Sequence, residues 1–190
     1  MSVLIVLEQQ NGQWHRMTAE GIAAGQQIGA ALGVPVEAVM LGTSMPPAQT
    51  VTKAKLARVW SIEHALLSQY TADGYGAALE QLIRKIEPQL VLFPHTYQVR
   101  DFAPKLATRF SQVLVSDVIA VRTENGKLTL VRQFFQGKLN GDVRLSGTAP
   151  HFASLQAGAW SADQLQPGES PAPVDVFAPR VSGEIGRAHV

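Results

Sequence analysis

The stretch LVLFPHTYQVRDFAPKLATRF, residues 90–110, holds a strand, a turn and a helix in succession. Its first residues, Leu90–Phe93, form a continuous apolar run, which is typical of a strand covered on both faces in a parallel sheet. Asp101 can cap the helix that follows, because an aspartate side chain accepts hydrogen bonds from the first free backbone amides. Phe102 and Leu106 would then form the inner face of that helix.

The same order of strand and helix recurs through the first ninety residues. Thr18 is a candidate N-cap for the first helix, and Gly33 stands where a left-handed residue usually ends a helix. The expected strands are Val3–Leu7, Val36–Leu41 and Arg58–Ile62, and the expected helices cover 18–32, 46–57 and 74–87. This alternation predicts an α/β fold with a mainly parallel sheet and helices on both faces.

The chain changes character after Val113. Residues 113–160 are rich in β-formers and turn residues, and Asn125-Gly126 between two such runs is typical of a hairpin. We expect this part to extend one edge of the sheet with antiparallel or irregular strands. Residues 161–183 are rich in proline and are expected to be a linker or an edge extension. The α/β domain is therefore expected to span residues 1–160.

Composition excludes several classes of protein. A net charge of +1, with no basic stripe interleaved with aromatic residues, argues against nucleic-acid binding. The absence of cysteine removes disulfides, thiolate metal sites and a cysteine nucleophile. No apolar run approaches the roughly 20 residues of a membrane span, and the N-terminus lacks the pattern of a signal peptide. We expect a cytoplasmic protein without membrane insertion, and the spacing of the five histidines predicts no metal site.

The loop between the fourth strand and its helix is the first candidate site. Ligands and partners of open α/β sheets meet the carboxyl ends of the strands, and a helix N-terminus there favours anions. This loop offers His95, Thr96, Tyr97, Arg100 and Asp101 as candidate ligand or interface residues. The alternative is that Arg100 pairs with a local carboxylate and that Asp101 only caps the helix.

Other candidate sites are weaker. The turn Glu8–Gln13 contains a single glycine and is poorly suited to holding a pyrophosphate. Thr43 and Ser44 follow the second strand, where capping of the next helix is favoured over phosphate binding. Asp117 interrupts an apolar run and is expected to mark a strand end or bulge, not a catalytic acid. No catalytic residue is predicted.

Several stretches in the order found here resemble the N-terminal domain of the electron transfer flavoprotein alpha subunit. The resemblance covers roughly residues 2–180, and the RDFAPKLA block followed by SDV is its most specific part. The stretches are SVLIVLE (2–8), HALLSQY (64–70), RDFAPKLATRF (100–110), VLVSDV (113–118), RQFFQGKL (132–139) and ASLQAGAW (153–160).

The resemblance implies a fold like that of adenine-nucleotide hydrolases and universal stress proteins. It implies a scaffold that packs on a beta subunit, in a heterodimer that carries electrons from flavin dehydrogenases, such as acyl-CoA dehydrogenases, to a quinone reductase. Such a protein is an electron carrier and not an enzyme. FAD is held in the family by a further domain of the alpha subunit, and nothing after Val181 resembles the start of that domain. No cofactor is therefore expected for this chain alone.

Two other functions stay open. A stand-alone nucleotide-binding protein of the universal-stress-protein type would need a phosphate loop near Gly137, Gly141 and Gly147. A hydrolase would have to use Asp117 or His95.

The last residues, EIGRAHV (184–190), are a separate feature. They are what the codons GAG-ATC-GGA-AGA-GCA-CAC-GTC encode, a string that resembles a widely used sequencing adapter. We expect a non-native read-through tail there, so no functional argument uses it.

Overall fold

A computed structural model of the chain describes residues 1–10, 12–43, 46–124 and 127–180. Within these ranges a nine-stranded sheet is accompanied by a two-stranded hairpin and four α-helices. The strands of the main sheet are β1 (Val3–Val6), β4 (Val36–Gly42), β5 (Arg58–Glu63), β6 (Leu90–Pro94), β7 (Leu114–Glu124), β8 (Lys127–Phe134), β9 (Leu139–Arg144), β10 (His151–Leu155) and β11 (Val174–Val176). The hairpin is β2 (Gln9–Gln10) and β3 (Gln13–Trp14), and the helices are α1 (Met17–Leu32), α2 (Gln49–Thr52), α3 (Ala72–Ile86) and α4 (Tyr97–Thr108).

The order of strands across the main sheet is β11-β5-β4-β1-β6-β10-β7-β8-β9. All neighbours from β11 to β7 are parallel. The last two pairings, β7 with β8 and β8 with β9, are antiparallel. The predicted α/β fold with a mainly parallel sheet and a β-rich extension is confirmed.

The core has two layers because alternate residues of each central strand point to opposite faces. Val3 and Ile5 of β1 pack with α1 residues such as Ile28 on one face. Leu4 and Val6 pack with α3 and α4 on the other. The two-sided burial explains why the central strands are unbroken apolar runs.

Three local predictions about the helices are wrong. Thr18 lies inside α1, where its hydroxyl donates to the backbone carbonyl of Glu8 at 3.2 Å instead of capping the helix. The second helix has a single turn, Gln49–Thr52, in place of the expected residues 46–57. Asp101 lies within α4, which begins four residues earlier because Thr96 is its N-cap and accepts from the amide of Val99 at 3.2 Å. Gly33 does end α1 with a left-handed φ of 66°.

The β-rich part differs from its prediction at one strand. Strands β8 and β9 extend the sheet edge in antiparallel fashion as expected. β10 does not lie at the edge, since it inserts in parallel between β6 and β7. Asn125-Gly126, the predicted turn, lies outside the described residues, and Glu124 and Lys127 on either side of it are paired.

After β10 the chain crosses one face of the molecule to the far edge of the sheet. Gln26 of α1, which is buried, holds this segment with bonds to Gln166, donating to its carbonyl at 2.9 Å and accepting from its amide at 2.8 Å. Trp160 donates its indole N–H to Gln27 at 2.7 Å. β11 then pairs with β5. The domain boundary at residue 160 stays a prediction.

Candidate functional site

Polar side chains from three neighbouring strands meet at the carboxyl edge of the parallel sheet. Thr96 follows β6 and donates its hydroxyl to Glu8, which follows β1, at 2.6 Å. The same hydroxyl accepts from the amide of Val99, so one side chain both caps α4 and fixes the carboxylate of the neighbouring strand. His95 is held there by its backbone amide, which donates to the carbonyl of Leu155 at 2.9 Å. The edge is thus fixed by contacts between strands.

A second group of contacts surrounds the side chain of His95. Nδ1 of His95 lies 2.8 Å from Oγ of Ser154, a fully buried residue of β10. The same Oγ accepts from the backbone amide of Asp117 at 3.1 Å. Asp117 has a φ of 60° and lies where two residues of β7 oppose one of β10. The prediction that Asp117 marks a bulge is confirmed, and the bulge turns its amide towards Ser154.

The environment of His95 favours the neutral imidazole. Burial lowers the pKa of His95 below its usual 6.5, and the cations Arg100 and Arg132 act in the same direction. The Asp117 carboxylate opposes them without reversing the shift. A neutral His95 can accept at Nδ1 from the Ser154 hydroxyl, which leaves its Nε2–H directed elsewhere.

Asp101 belongs to a different contact. The Tyr70 hydroxyl lies 2.7 Å from the Asp101 carboxylate and 3.2 Å from the carbonyl of Gln98. Burial, together with the hydrogen bond to Asp101, raises the pKa of Tyr70 well above its usual range. Asp101 therefore joins α4 to the segment between β5 and α3, whereas His95 and Thr96 bond other partners.

The remaining loop residues line a shallow cleft. Tyr97 is 88% exposed, and the Arg100 guanidinium lies 5.6 Å from its ring centre, within the range of a cation–π contact. No described carboxylate lies within ion-pair distance of Arg100. The cleft measures about 310 Å³, and its polar lining residues are His15, Arg16, His95, Thr96, Tyr97 and Arg100.

A larger cleft lies at the opposite end of the strands. It measures about 860 Å³ and is bounded by residues 147–151 and by Arg84 and Phe110. Arg84 is already engaged there, since it pairs with Glu80 at 2.8 Å and stacks 4.6 Å from the Phe110 ring centre. We therefore place the candidate site at the carboxyl edge, where the polar groups converge.

The five predicted loop residues are thus divided between three environments. His95 and Thr96 lie inside the polar cluster, Tyr97 and Arg100 face the cleft, and Asp101 bonds Tyr70. Sequence reasoning missed Ser154, although a single hydroxyl within the apolar strand HFASL is a signal that a buried partner exists. Among the described residues no cluster of three or more histidine and carboxylate side chains could hold a metal ion. No described helix is both long and apolar enough to cross a membrane.

The comparison with known protein families agrees with this topology. A sequence model of the electron transfer flavoprotein domain matches residues 3–181. The chain belongs to the electron transfer flavoprotein family. Its relatives in this family include alpha subunits. One, from Thermoanaerobacterium thermosaccharolyticum, is 27% identical over 161 residues, which are 82% of this chain and 48% of the relative.

Other members of the family give the same picture. The alpha subunit of Bacillus subtilis is 33% identical over 140 residues, covering 72% of this chain and 42% of the relative. Protein FixB of Rhizobium meliloti is 24% identical over 172 residues, covering 86% of this chain and 48% of the relative. The chain spans about half the length of these curated relatives.

The described residues do not fit the flavin that the family name implies. A dinucleotide site needs a glycine-rich turn between a parallel strand and a long helix. Here β1 leads into the β2–β3 hairpin, and β4 leads towards the single-turn helix α2. The segments from β5 to α3 and from β6 to α4 contain no glycine. Of the candidate phosphate-binding pair Thr43 and Ser44, only Thr43 lies within the described residues. No chemical step is therefore assigned to a flavin on this chain.

Proposed function

We propose that this chain is the N-terminal scaffold domain of an electron transfer flavoprotein alpha subunit. The family match over residues 3–181 is the observation that carries the proposal. In this role the domain packs on a beta subunit and supports the part of the alpha subunit that holds FAD. The whole complex then carries electrons from flavin dehydrogenases, such as the acyl-CoA dehydrogenases of fatty acid oxidation, to a quinone reductase in the bacterial cytoplasm.

The bonding at the carboxyl edge supports a scaffold more than a catalyst. Ser154, whose hydroxyl contacts the His95 ring, is fully buried and bonded on two sides. Asp117 contributes a backbone amide to this contact, and no hydrogen bond joins its carboxylate to His95 within the described residues. A nucleophile has to reach its substrate, so this arrangement disfavours a hydrolase.

The glycines of the nucleotide-binding alternative do not form a phosphate loop. Gly137 lies in the turn between β8 and β9, Gly141 lies within β9, and Gly147 lies between the strands β9 and β10. Phosphate loops join a strand to a helix N-terminus, whose amides hold the phosphate. An antiparallel hairpin provides no such amides, so the scaffold function is favoured.

The loop of His95, Thr96, Tyr97, Arg100 and Asp101 has a role in this proposal. Its inner residues lock β1, β6 and β10 together, and its outer residues Tyr97 and Arg100 present an exposed aromatic ring and a cation without a carboxylate partner. We assign the outer pair to contacts with the flavin-holding part of the alpha subunit. Such aromatic and arginine side chains are typical contact residues of interfaces.

Expression of the chain alone and together with its beta subunit tests the proposal. The chain alone is expected to be colourless, because its residues do not fit FAD, and to form a 1:1 complex with the beta subunit in size-exclusion chromatography with light scattering. Stoichiometric FAD in the lone chain would contradict the scaffold function, as would failure to bind the beta subunit. Calorimetric binding of ATP or AMP by the lone chain would favour the nucleotide-binding alternative.

A further inference from the structure

The shallow cleft at the carboxyl edge of the sheet collects hydrogen-bond donors from two separate parts of the chain. Its volume is about 310 Å³, at the lower end of the roughly 300–1,000 Å³ that small-ligand sites have. We call it the donor cleft and define it by its polar lining residues, which are His15, Arg16, His95, Thr96, Tyr97 and Arg100. In the part of the chain that the structure describes, no carboxylate lines it. Its chemistry therefore suits an anion.

Two half-buried imidazoles of the donor cleft are fixed as N–H donors. The backbone amide of Met17 donates to Nδ1 of His15 at 3.3 Å. Oγ of Ser154 accepts from the amide of Asp117 at 3.1 Å, so its own proton is free for Nδ1 of His95, which lies 2.8 Å away. A neutral imidazole that accepts at Nδ1 carries its proton at Nε2. Each ring thus keeps an Nε2–H group, for which the described residues provide no acceptor.

Two guanidinium groups complete the set of donors. Arg16 immediately precedes α1, and Arg100 lies in the first turn of α4, yet both line the donor cleft. Both are exposed, and neither forms an ion pair with a described carboxylate. The Tyr97 ring supports the Arg100 guanidinium at 5.6 Å from the ring centre. Guanidinium groups bind phosphate oxygens through two parallel N–H bonds, so this pair points to an oxyanion.

The backbone adds to these side-chain donors. The first residues of α1 and α4, Met17 and Tyr97, both line the donor cleft. The amide of Tyr97 has no partner among the described residues, because the first amides of a helix lack an intrahelical acceptor. The positive ends of two helix dipoles therefore meet at one cleft. They strengthen the attraction for an anion that the four side chains can bind.

The neighbouring carboxylates do not neutralise the donor cleft by direct contact. Glu8 accepts from the Thr96 hydroxyl at 2.6 Å, and Glu20 accepts from the backbone amide of Gly158 at 2.8 Å. The charge of Asp117 reaches His95, but Asp117 does not line the cleft. Among the described residues the two arginines thus have no ion-pairing role within the domain, and their charge is available to a ligand.

We propose that the donor cleft binds a phosphate group, held by the guanidinium groups of Arg16 and Arg100 and by the Nε2–H groups of His15 and His95. A phosphate group offers several strong acceptor oxygens, and these four side chains offer the matching donors. The inference goes beyond the proposed function, because the chain alone is expected to bind the anion without a beta subunit. The exposed Tyr97 ring remains available for the contact with the flavin-holding part.

Titration of the full chain with inorganic phosphate, followed by the imidazole signals in NMR spectra, tests this inference. At low ionic strength we expect saturable binding with a Kd of about 1 mM or below. The signals of His15 and His95 are expected to shift. Those of His64 and His151, which lie outside the donor cleft, are the internal controls and are expected to stay unchanged. Equal shifts of all four, or the same shifts with sodium chloride at matched ionic strength, would overturn the inference.

Three arginine variants locate the binding site. Arg16→Gln and Arg100→Gln are each expected to raise the Kd for phosphate about 10-fold, since each removes charge-assisted hydrogen bonds. Arg144→Gln is the matched control: Arg144 is exposed, lies in β9 away from the donor cleft, and is expected to change the Kd less than about 2-fold. All three replace exposed side chains, so the thermal midpoint is expected to stay unchanged. An unchanged Kd in Arg16→Gln and Arg100→Gln would contradict the assignment.

A parallel titration with AMP separates two sources of the phosphate group. If AMP shifts the same two histidines and binds no more tightly than inorganic phosphate, the site takes the phosphate group alone. If AMP binds about 10-fold more tightly or better, the ligand is a larger phosphate ester, and the nucleotide-binding alternative is favoured over the scaffold. If neither binds, the inference is overturned, whereas the proposed function depends only on binding of the beta subunit.

Discussion

The central parallel strands and the β8–β9 hairpin belong to one sheet but differ in the burial of their residues. Every residue of β6 is buried, because helices cover both of its faces. In β9 four of the six residues are exposed, and in the described part of the chain no strand pairs with its outer edge. A strand buried on both faces contributes only stability. An edge strand with exposed apolar residues remains available for association, whereas the buried central strands do not.

Removal of a large side chain from each region is expected to give the largest difference in the free energy of unfolding. Phe93→Ala in β6 removes a fully buried ring that lies 5.8 Å from the Phe102 ring and 6.5 Å from the Phe152 ring. We expect a loss of about 4 kcal/mol in the free energy of unfolding, measured by urea denaturation. Phe134→Ala in the hairpin is expected to cost less than about 1.5 kcal/mol, since its ring is 38% exposed. Equal losses would show that the hairpin is as tightly packed as the centre.

Added side chains at two glycines are expected to give a smaller difference in the free energy of unfolding. At Gly25 of α1 a new carbon would lie 2.3 Å from Cδ1 of Ile5, which is buried among other core side chains. Gly25→Val is expected to cost about 2 kcal/mol of unfolding free energy, by overpacking. At Gly141 the obstacle is the Phe134 ring, which can turn into solvent. Gly141→Val should therefore cost less in the same urea measurement, and a larger loss at Gly141 would show that the Phe134 ring cannot turn into solvent.

Titration of two histidines at opposite ends of the sheet, His95 and His151, gives the smallest effect. Burial lowers the pKa of His95 and of His151 below 6.5. The unfolded chain therefore binds more protons than the folded chain just below that pH, and stability falls as the pH drops from about 7 to about 5. The thermal midpoint is the measurement. The double variant His95→Gln/His151→Gln is expected to flatten this dependence, and an unchanged slope would assign it to other groups.

The sequence could predict the parallel strands but not all of their neighbours. The apolar runs of β1, β4 and β6 identify these segments as strands from local sequence alone, because such runs suit burial on both faces of a sheet. The residues of β10 do not fix its place in the sheet, because an apolar run such as HFASL fits an edge strand as well as an interior strand.

The candidate site was predictable to a similar extent. The loop after β6 is marked by its place between strand and helix, which is why His95 and Thr96 were found. Thr96 and Asp101 are both good N-caps, and the choice between them is decided by Glu8, which bonds Thr96 from a distant part of the sequence. The pairing of His95 with Ser154 likewise joins residues 59 positions apart. No local pattern fixes such contacts.

Hydrogen–deuterium exchange of the chain, alone and bound to its beta subunit, tests the contrast between the two regions most directly. In the lone chain we predict slow exchange in β1, β4 and β6 and fast exchange in β9, whose outer amides are open to solvent. On addition of the beta subunit we predict new protection in β8 and β9, with the central strands unchanged. Protection confined to other surfaces, with β9 still exchanging fast in the complex, would contradict the account.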